Sequence, residues 1–403
     1  MVVDYTGKAP SGWVQLPLSK SESNRWLILQ ALAGNQIQMP HISDARDTRL
    51  LQQALKQTTF VTDVADAGTA MRFLCAYYCA SGQHRMLKGT LRMHQRPIGE
   101  LVKALMQLGF RIDYLGTPGF PPLECIPVNQ QKIGSEVRIS GSISSQYISA
   151  LLLIGAFLPH GISIQLTDAL VSAPYVELTL ACLQQCGIAI TATEQGWQVA
   201  PQQVQPITAR IGADWSAASY FYALAALSPQ AQVSFPGLDG QSAQGDKVIS
   251  EWLRRLAIET SFLADGTTIK KTNGKVEDEN WLIDFTRHPD VAMTMMVIAA
   301  ARGLKWRFTG LDSLRIKETD RLAAMQHELS KTGVTLQEEA GVFSITGAFK
   351  LQPGTRFATY GDHRMAMAFA PLGVLAPVDI EAPEVVEKSF PLFWQQLQQL
   401  FPS

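Results

Sequence analysis

Residues 144–161 read SSQYISALLLIGAFLPHG. After its polar start the stretch is apolar on every side of a helical wheel. A helix without a polar face must be buried in protein or in membrane. Spanning a bilayer takes about 20 apolar residues, so this shorter stretch reads as a helix buried in protein. Five more stretches share its character. They begin at Lys20 (KSESNRWLILQALAG), Ala67 (AGTAMRFLCAYYCASG), Trp215 (WSAASYFYALAALSP), Pro289 (PDVAMTMMVIAAARG) and Asp362 (DHRMAMAFAPLGVLA).

A second set of six stretches is amphipathic. They begin near Asp47, Pro97, Tyr175, Asp246, Thr319 and Ser389. Leu101, Leu105 and Leu108 show the spacing of one apolar helix face. Gly109, Gly187 and Gly333 stand where a glycine would end the helix. Each amphipathic start follows its buried partner by 27 to 31 residues. Short β-rich stretches such as GISIQL and LKWRFTG lie between them.

The regularity is that of one unit repeated six times. A solenoid needs polar terminal repeats, yet here the first and last units are as apolar as the middle ones. Closed groups suit the pattern better, with three buried helices inside each of two lobes. A chain of 403 residues agrees, because single cores stop growing near about 250–300 residues.

Composition removes several function classes. Apolar residues at 46% and charged residues at 17% exclude disorder, collagen and coiled coil. The 34 basic and 35 acidic side chains nearly cancel, so neither nucleic acid nor an anionic membrane is an expected partner. The five cysteines (75, 79, 125, 182 and 186) are odd in number and lack framework spacing, which fits a reducing compartment. The start, MVVDYTGKAP, has no basic region before an apolar core, so the expected location is the cytoplasm.

The placement of the cations carries the functional signal. Arg25, Arg72 and Arg364 sit in or just after the first turns of buried helices. A buried cation is costly unless paired, so each needs an anion or a cleft. The same helices start with small polar residues: Ser19-Lys20-Ser21, Gly68-Thr69 and Ser144-Ser145-Gln146. Free N–H groups and the helix dipole make such starts anion sites, although Ser and Thr are also ordinary caps. Arg96, Lys317, Glu318, Arg321 and Lys388 gather at the starts of the amphipathic helices. A cation at a helix N-terminus opposes the macrodipole. Solvated faces with local ion pairs would explain single cases, but not the bias towards N-termini. A near-neutral chain patterned this way is suited to a small polyanion, with Arg forks and Lys point charges as its clamps.

Acid–base candidates are few: Asp290 in HPD, Glu318 in KETD, and Asp362 with His363 in GDHR. Each could equally be structural, and His363 a core histidine. No phosphate-binding glycine loop, nucleophile elbow, H-E-x-x-H or C-x-x-C is present, and no metal or cofactor is expected. Cys182 and Cys186, one helical turn apart, read as core residues.

The chain closely resembles the 5-enolpyruvylshikimate-3-phosphate synthase family of enolpyruvyl transferases, over essentially its whole length. The motifs run in order: LPLSKSESNR (16–25), DAGTAMR (66–72), RPIG (96–99), GSISSQ (141–146), SAPY (172–175), ADWSAASY (213–220), QGD (244–246), PDVAMT (289–294), RIKETDR (315–321), YGDHRMAM (360–367) and EKSFP (387–391). The resemblance implies an α/β fold of two lobes, each of three βαβαββ units around buried helices. Residues 1–18 and 212–403 would form the lobe with the acid–base residues. Residues 19–211 would form the lobe that binds mainly shikimate 3-phosphate. Helix N-termini would face a cleft that closes on substrate.

The implied reaction moves the enolpyruvyl group of phosphoenolpyruvate to the 5-hydroxyl of shikimate 3-phosphate and releases phosphate. By motif position, Lys20, Ser21, Arg25, Ser144, Ser145, Gln146, Ser172, Tyr175, Asp290 and Lys317 would bind shikimate 3-phosphate. Lys20, Gly68, Arg96, Gln146, Arg321, Arg364 and Lys388 would bind phosphoenolpyruvate. Lys20, Asp290 and Glu318 would be catalytic, with Glu318 serving the methylene carbon and Asp290 with Lys20 the attacking hydroxyl. A monomer with two small-molecule substrates is expected.

Four departures from the family pattern stand near these residues. The usual Gly of LPGSKS is Leu18, the Asn of NAGTAMRP is Asp66, its Pro is Phe73, and an Asn often found four residues before the Lys of KETDR is Ser313. None removes a proton donor or a clamp cation. Two other readings remain. UDP-N-acetylglucosamine enolpyruvyl transferase shares the fold but uses a loop Cys, whereas Cys125 lies in the β-like LECIPV. A non-catalytic ligand-binding relative would have eroded Lys20, Asp290 or Glu318, and all three are present.

Overall fold

Ser19 accepts a hydrogen bond from the main-chain N–H of Glu22 and starts the first helix, α1 (Lys20–Ala33). Trp26, Leu27, Ile28 and Leu29 follow one another and are all buried, as expected of a helix without a solvent face. The next helix, α2 (Arg46–Lys56), buries only one side, through Asp47, Thr48, Leu51 and Ala54. The alternation continues with α3 (Gly68–Ala80), α4 (Gly99–Gln107), α5 (Ser145–Gly155) and α6 (Ala173–Gln185). Leu101, Leu105 and Leu108 form the buried side at α4. Gly109 and Gly187, just beyond α4 and α6, take the positive φ angles that end a helix without a Cβ clash. The computed structural model describes residues 1–274, 276 and 280–401.

Strands close the repeat. Val61–Asp63 lies parallel to Arg85–Lys88, with α3 as the crossover between them. Arg85–Lys88 then pairs antiparallel with Leu123–Ile126, and that strand with Arg111–Tyr114. The order is βαβαββ. It recurs with the same pairing in the sheet of Glu136–Ile139, Ile162–Leu166, Gly196–Val199 and Thr191–Thr193 around α5 and α6. Parallel neighbours need a long crossover and antiparallel ones a short turn, so helix and hairpin alternate.

The second half of the chain repeats the plan. Its helices are α7 (Trp215–Leu227), α8 (Ile249–Trp252), α9 (Ala292–Arg302), α10 (Arg321–Ser330), α11 (His363–Phe369) and α12 (Phe393–Gln398). Two more four-stranded sheets have the same pairing, one of which takes its first strand, Ser11–Trp13, from the start of the chain. The remaining two repeats are abbreviated. One pairs Ile207–Thr208 with Ile37–Gln38, and the other sets Val2–Val3 beside Val378–Ile380 and Thr355–Phe357. Both are assembled from segments far apart in the chain.

Where the periodicity predicts one amphipathic helix from Asp246, the chain makes three short pieces. A 3-10 turn at Gly245–Val248 leads into α8, and a second follows at Leu253–Leu256. Trp252, in the middle, meets Trp281, Phe285 and His288 edge-on. The segment beginning at Pro289 likewise opens with a 3-10 turn, Pro289–Val291, before α9.

The chain divides into two compact units: Met1–Leu18 with Gly212–Ser403, and Ser19–Ile211. The core of the first includes α7 and α9, where Phe221, Tyr222, Met295 and Met296 are buried. All five cysteines are buried and free, Cys182 and Cys186 among them. Among the described residues no helix is long and apolar enough to cross a membrane.

Candidate active site

In the unit Ser19–Ile211 the starts of the buried helices are tied together by side chains. Arg25, one turn into α1, is 2% exposed. It donates to the Ser21 carbonyl at 2.7 Å, the Thr179 hydroxyl at 2.7 Å, the Tyr175 carbonyl at 2.7 Å and the Ser149 hydroxyl at 3.3 Å. These acceptors are all neutral, so they orient the guanidinium without cancelling its charge. Its carbon also lies 5.6 Å from the ring centroid of Phe73, so this departure from the family pattern supplies a cation–π neighbour. Lys20 Nζ pairs at 3.3 Å with Asp47, a buried carboxylate in the first turn of α2.

Gly68 starts α3 against two arginines. A Cβ there would stand 2.6 Å from Arg96 Nη2 and 2.7 Å from Arg72 Nη1. Glycine therefore lets two guanidinium groups approach a helix N-terminus. Arg72 donates to the carbonyls of Gly68 at 3.0 Å and Pro97 at 2.8 Å, and Arg96 to that of Asp66 at 3.3 Å. Ser144 caps α5 by accepting from the Gln146 N–H, and the Gln146 amide reaches the Thr69 hydroxyl at 3.4 Å. Ser145 is buried in the first turn. Ser172 precedes α6 in the left-handed region, at φ 53°, a conformation that costs a non-glycine residue energy. Tyr175 lies in the first turn of α6, where its N–H bonds the Ser172 carbonyl at 3.0 Å.

The unit containing residues 212–403 gathers carboxylates and guanidinium groups. Arg321, the first residue of α10, is 1% exposed. Its nitrogens meet Asp362 at 2.7 Å, Glu318 at 2.8 Å and Asp290 at 3.2 Å. Burial alone would lower the proton affinity of this guanidinium, but the carboxylates of Asp362, Glu318 and Asp290 outweigh it and raise it. Arg364 pairs with Asp290 at 3.1 Å and reaches the Asp290 carbonyl at 3.0 Å and the Tyr220 hydroxyl at 3.3 Å. Asp362 caps α11 through the Arg364 N–H. His363 is buried, with Nδ1 3.4 Å from Asp362. Lys317 ends the 3-10 turn Asp312–Ile316, and Lys388 ends Pro383–Lys388 at 1% exposure.

Each substrate-binding set expected from the sequence draws on both units: Asp290 and Lys317 of the shikimate 3-phosphate set, and Arg321, Arg364 and Lys388 of the phosphoenolpyruvate set, belong to the unit containing residues 212–403, and the rest to Ser19–Ile211. Ser19, Ser144 and Asp362 cap their helices, and the cations Lys20 and Arg364 stand in the first turns next to Ser19 and Asp362. Sequence reasoning assigned no role to several participants. Asp168 accepts the N–H groups of Gly141 and Ser142, at 2.6 and 2.9 Å, and the hydroxyls of Ser140 and Ser142. These bonds, the Ser140 hydroxyl first, hold its carboxyl below the usual range and fix the GSISSQ loop. Ser216 and Tyr220 stand one turn apart on α7 and both contact Arg364. Polar residues at i, i+4 on an otherwise apolar helix were the available signal for them. The Ser216 hydroxyl donates to Asp246, whose carboxyl is pushed up to about 7 by burial and by Asp290.

The fold is that of the enolpyruvyl transferases. EPSP synthase from Acinetobacter baumannii matches it with a TM-score of 0.76 at 19% identity, over 99% of this chain and 98% of that one. The enolpyruvyl transferase NikO from Streptomyces tendae matches with 0.71 at 15% identity, over 99% and 97%. A family model described as EPSP synthase (3-phosphoshikimate 1-carboxyvinyltransferase) matches residues 54–397. A 3-phosphoshikimate 1-carboxyvinyltransferase from Bacteroides fragilis is 43% identical, over 98% of this chain and 97% of its own. One from Cellvibrio japonicus is 36% identical, over 99% and 100%. The chain belongs to the EPSP synthase family.

Proposed function

We propose that the chain transfers the enolpyruvyl group of phosphoenolpyruvate to the 5-hydroxyl of shikimate 3-phosphate and releases phosphate, a step of aromatic amino-acid biosynthesis. The observation that carries this reading is the cluster of Asp290 and Glu318 on Arg321 and Arg364. It combines two carboxylates for two proton transfers with two guanidinium groups for an anionic donor. Lys20, Ser21, Arg25, Ser144, Ser145, Gln146, Ser172, Tyr175, Asp290 and Lys317 hold shikimate 3-phosphate. Lys20, Gly68, Arg96, Gln146, Arg321, Arg364 and Lys388 hold phosphoenolpyruvate. The enzyme works as a monomer in the cytoplasm.

The hydroxyl oxygen adds to C2 of phosphoenolpyruvate while the methylene carbon, C3, takes a proton and becomes a methyl group. Phosphate then leaves C2 as a proton leaves C3, which regenerates the double bond. Glu318 gives and retrieves the C3 proton, and Asp290 with Lys20 takes the hydroxyl proton. Arg321 links binding to this chemistry. Its contact with Asp362 is buried, whereas Glu318 and Asp290 are 12% and 13% exposed. An incoming phosphate or carboxylate competes with these two for the guanidinium.

Phosphate release from phosphoenolpyruvate tests the reading, with shikimate 3-phosphate or UDP-N-acetylglucosamine as acceptor. Release that requires shikimate 3-phosphate is expected, and release with the nucleotide sugar alone would overturn the acceptor assignment. The nucleotide-sugar reading calls for a loop cysteine, whereas Cys125 is buried within the strand Leu123–Ile126.

A further inference from the structure

The connections that lead into α5 and α6 stay side by side after their strands have ended. Glu136–Ile139 and Ile162–Leu166 pair in parallel. Beyond them the Thr167 N–H donates to the Ile139 carbonyl at 3.0 Å, and the Val171 N–H to the Gly141 carbonyl at 3.0 Å. Gly141 packs directly on the neighbouring backbone, where a Cβ would stand 3.0 Å from the main-chain oxygens of both Asp168 and Ala169. One connection runs on into Ser144 and Ser145, the other into Ser172.

Asp168 clasps the two together. It is exposed, yet each of its carboxylate oxygens accepts two bonds. Oδ1 takes the N–H groups of Gly141 and Ser142, and Oδ2 the hydroxyls of Ser140 and Ser142. Bonds to an ionised acceptor are the strong ones, and four that converge on one carboxylate define a single shape for the turn. Ser172, four residues further on, holds the left-handed conformation. Such a conformation persists only where its surroundings enforce it, and the bond from Val171 to Gly141 is a constraint on the residue just before it.

We propose that Asp168 is a positioning residue for shikimate 3-phosphate. By tying the turn at 140–142 to the connection at 167–171, it sets Ser144 and Ser145 on one side and Ser172 on the other before the ligand arrives. The inference rests on the assignment of these serines to shikimate 3-phosphate. A loop shaped in advance incurs no ordering cost on binding. The effect of Asp168 therefore lies in affinity for this ligand, and it vanishes once the ligand saturates the site.

The test compares wild type, Asp168→Ala and Asp168→Asn in the full chain. It reads calorimetric binding of shikimate 3-phosphate without phosphoenolpyruvate, and then phosphate release with both. Asp168→Ala should raise Kd and KM for shikimate 3-phosphate about tenfold. At saturating shikimate 3-phosphate its kcat and its KM for phosphoenolpyruvate should stay within about threefold of wild type. Asp168→Asn keeps an oxygen for the N–H groups of Gly141 and Ser142, so its Kd should stay within about threefold. An unchanged Kd in Asp168→Ala, an asparagine variant as weak as the alanine one, or a kcat that stays depressed at saturation would each overturn the inference while leaving the reaction standing. Wild type that binds shikimate 3-phosphate without turning over would remove the reaction, and Asp168 would still be judged by Kd. Wild type that does not bind it would remove both.

Discussion

Arg321 grips both carboxylate oxygens of Asp362, with Nε 2.7 Å from Oδ2 and Nη2 3.3 Å from Oδ1. Asp362 also caps α11 through the Arg364 N–H at 2.9 Å. One buried carboxylate therefore holds the Arg321 side chain and the main chain at Arg364. Removing one partner of a buried pair leaves an uncompensated charge, at a cost of about 3–5 kcal/mol, and losing a cap adds about 1 kcal/mol. Asp362→Ala should lose most of that sum in urea unfolding. Asp362→Asn, which keeps an acceptor for the cap, should lose less. A loss below about 1 kcal/mol for the alanine variant would show that Glu318 and Asp290 suffice to hold Arg321.

Glu318 accepts from Arg321 at 2.8 Å, a contact that the amide oxygen of glutamine can imitate, and that contact lies near the surface of the cluster. Glu318→Gln removes the proposed proton donor and keeps the shape. General acid–base catalysis is worth about 10²–10⁴-fold, so kcat should fall by that order while calorimetric binding of shikimate 3-phosphate persists. A kcat within about threefold of wild type would remove Glu318 from the C3 proton transfer.

Buried helices were legible because burial on all sides leaves no polar face to confuse the period, as in α7 and α9. The break-up of the Asp246 segment was not, because Trp252 packs on rings at 281, 285 and 288 that no local pattern connects to it. In the site, cations at helix starts were visible because they defy the macrodipole. Their supporting acceptors were hidden by distance along the chain. Ser216 and Tyr220 lie about 150 residues from Arg364.

Gly68→Ala tests the close approach at α3. The three atoms nearest the added Cβ would be side-chain tips of Arg96 and Arg72. Flexible tips can retreat, so the fold should survive and the melting temperature should barely move. The clamp, however, would shift outward by a few tenths of an ångström or more. KM for phosphoenolpyruvate should rise about tenfold, with KM for shikimate 3-phosphate little changed. Equal increases in both would show that the substitution disturbs α3 as a whole.

Asp246 gives the site a pH-dependent term whose sign can be derived. Burial, reinforced by Asp290, pushes its carboxyl up to about 7 against the opposing pull of Arg364 and the Ser216 hydroxyl. An unfolded aspartate titrates near about 3.9. Between those values the folded chain keeps a proton that the unfolded chain has given up. The stability from this group is therefore full below about pH 4 and lost as pH rises through about 7. Asp246→Asn imitates the protonated form at every pH. The variant and wild type should melt together below about pH 4, and the variant should melt increasingly higher as pH rises from about 4 to about 7, with the gap level by pH 8. Melting curves taken every half unit from pH 4 to 8 measure the growth of that gap. A difference that stays constant from pH 5 to 8 would mean that Asp246 does not titrate there, and that the charge of Arg364 outweighs its burial.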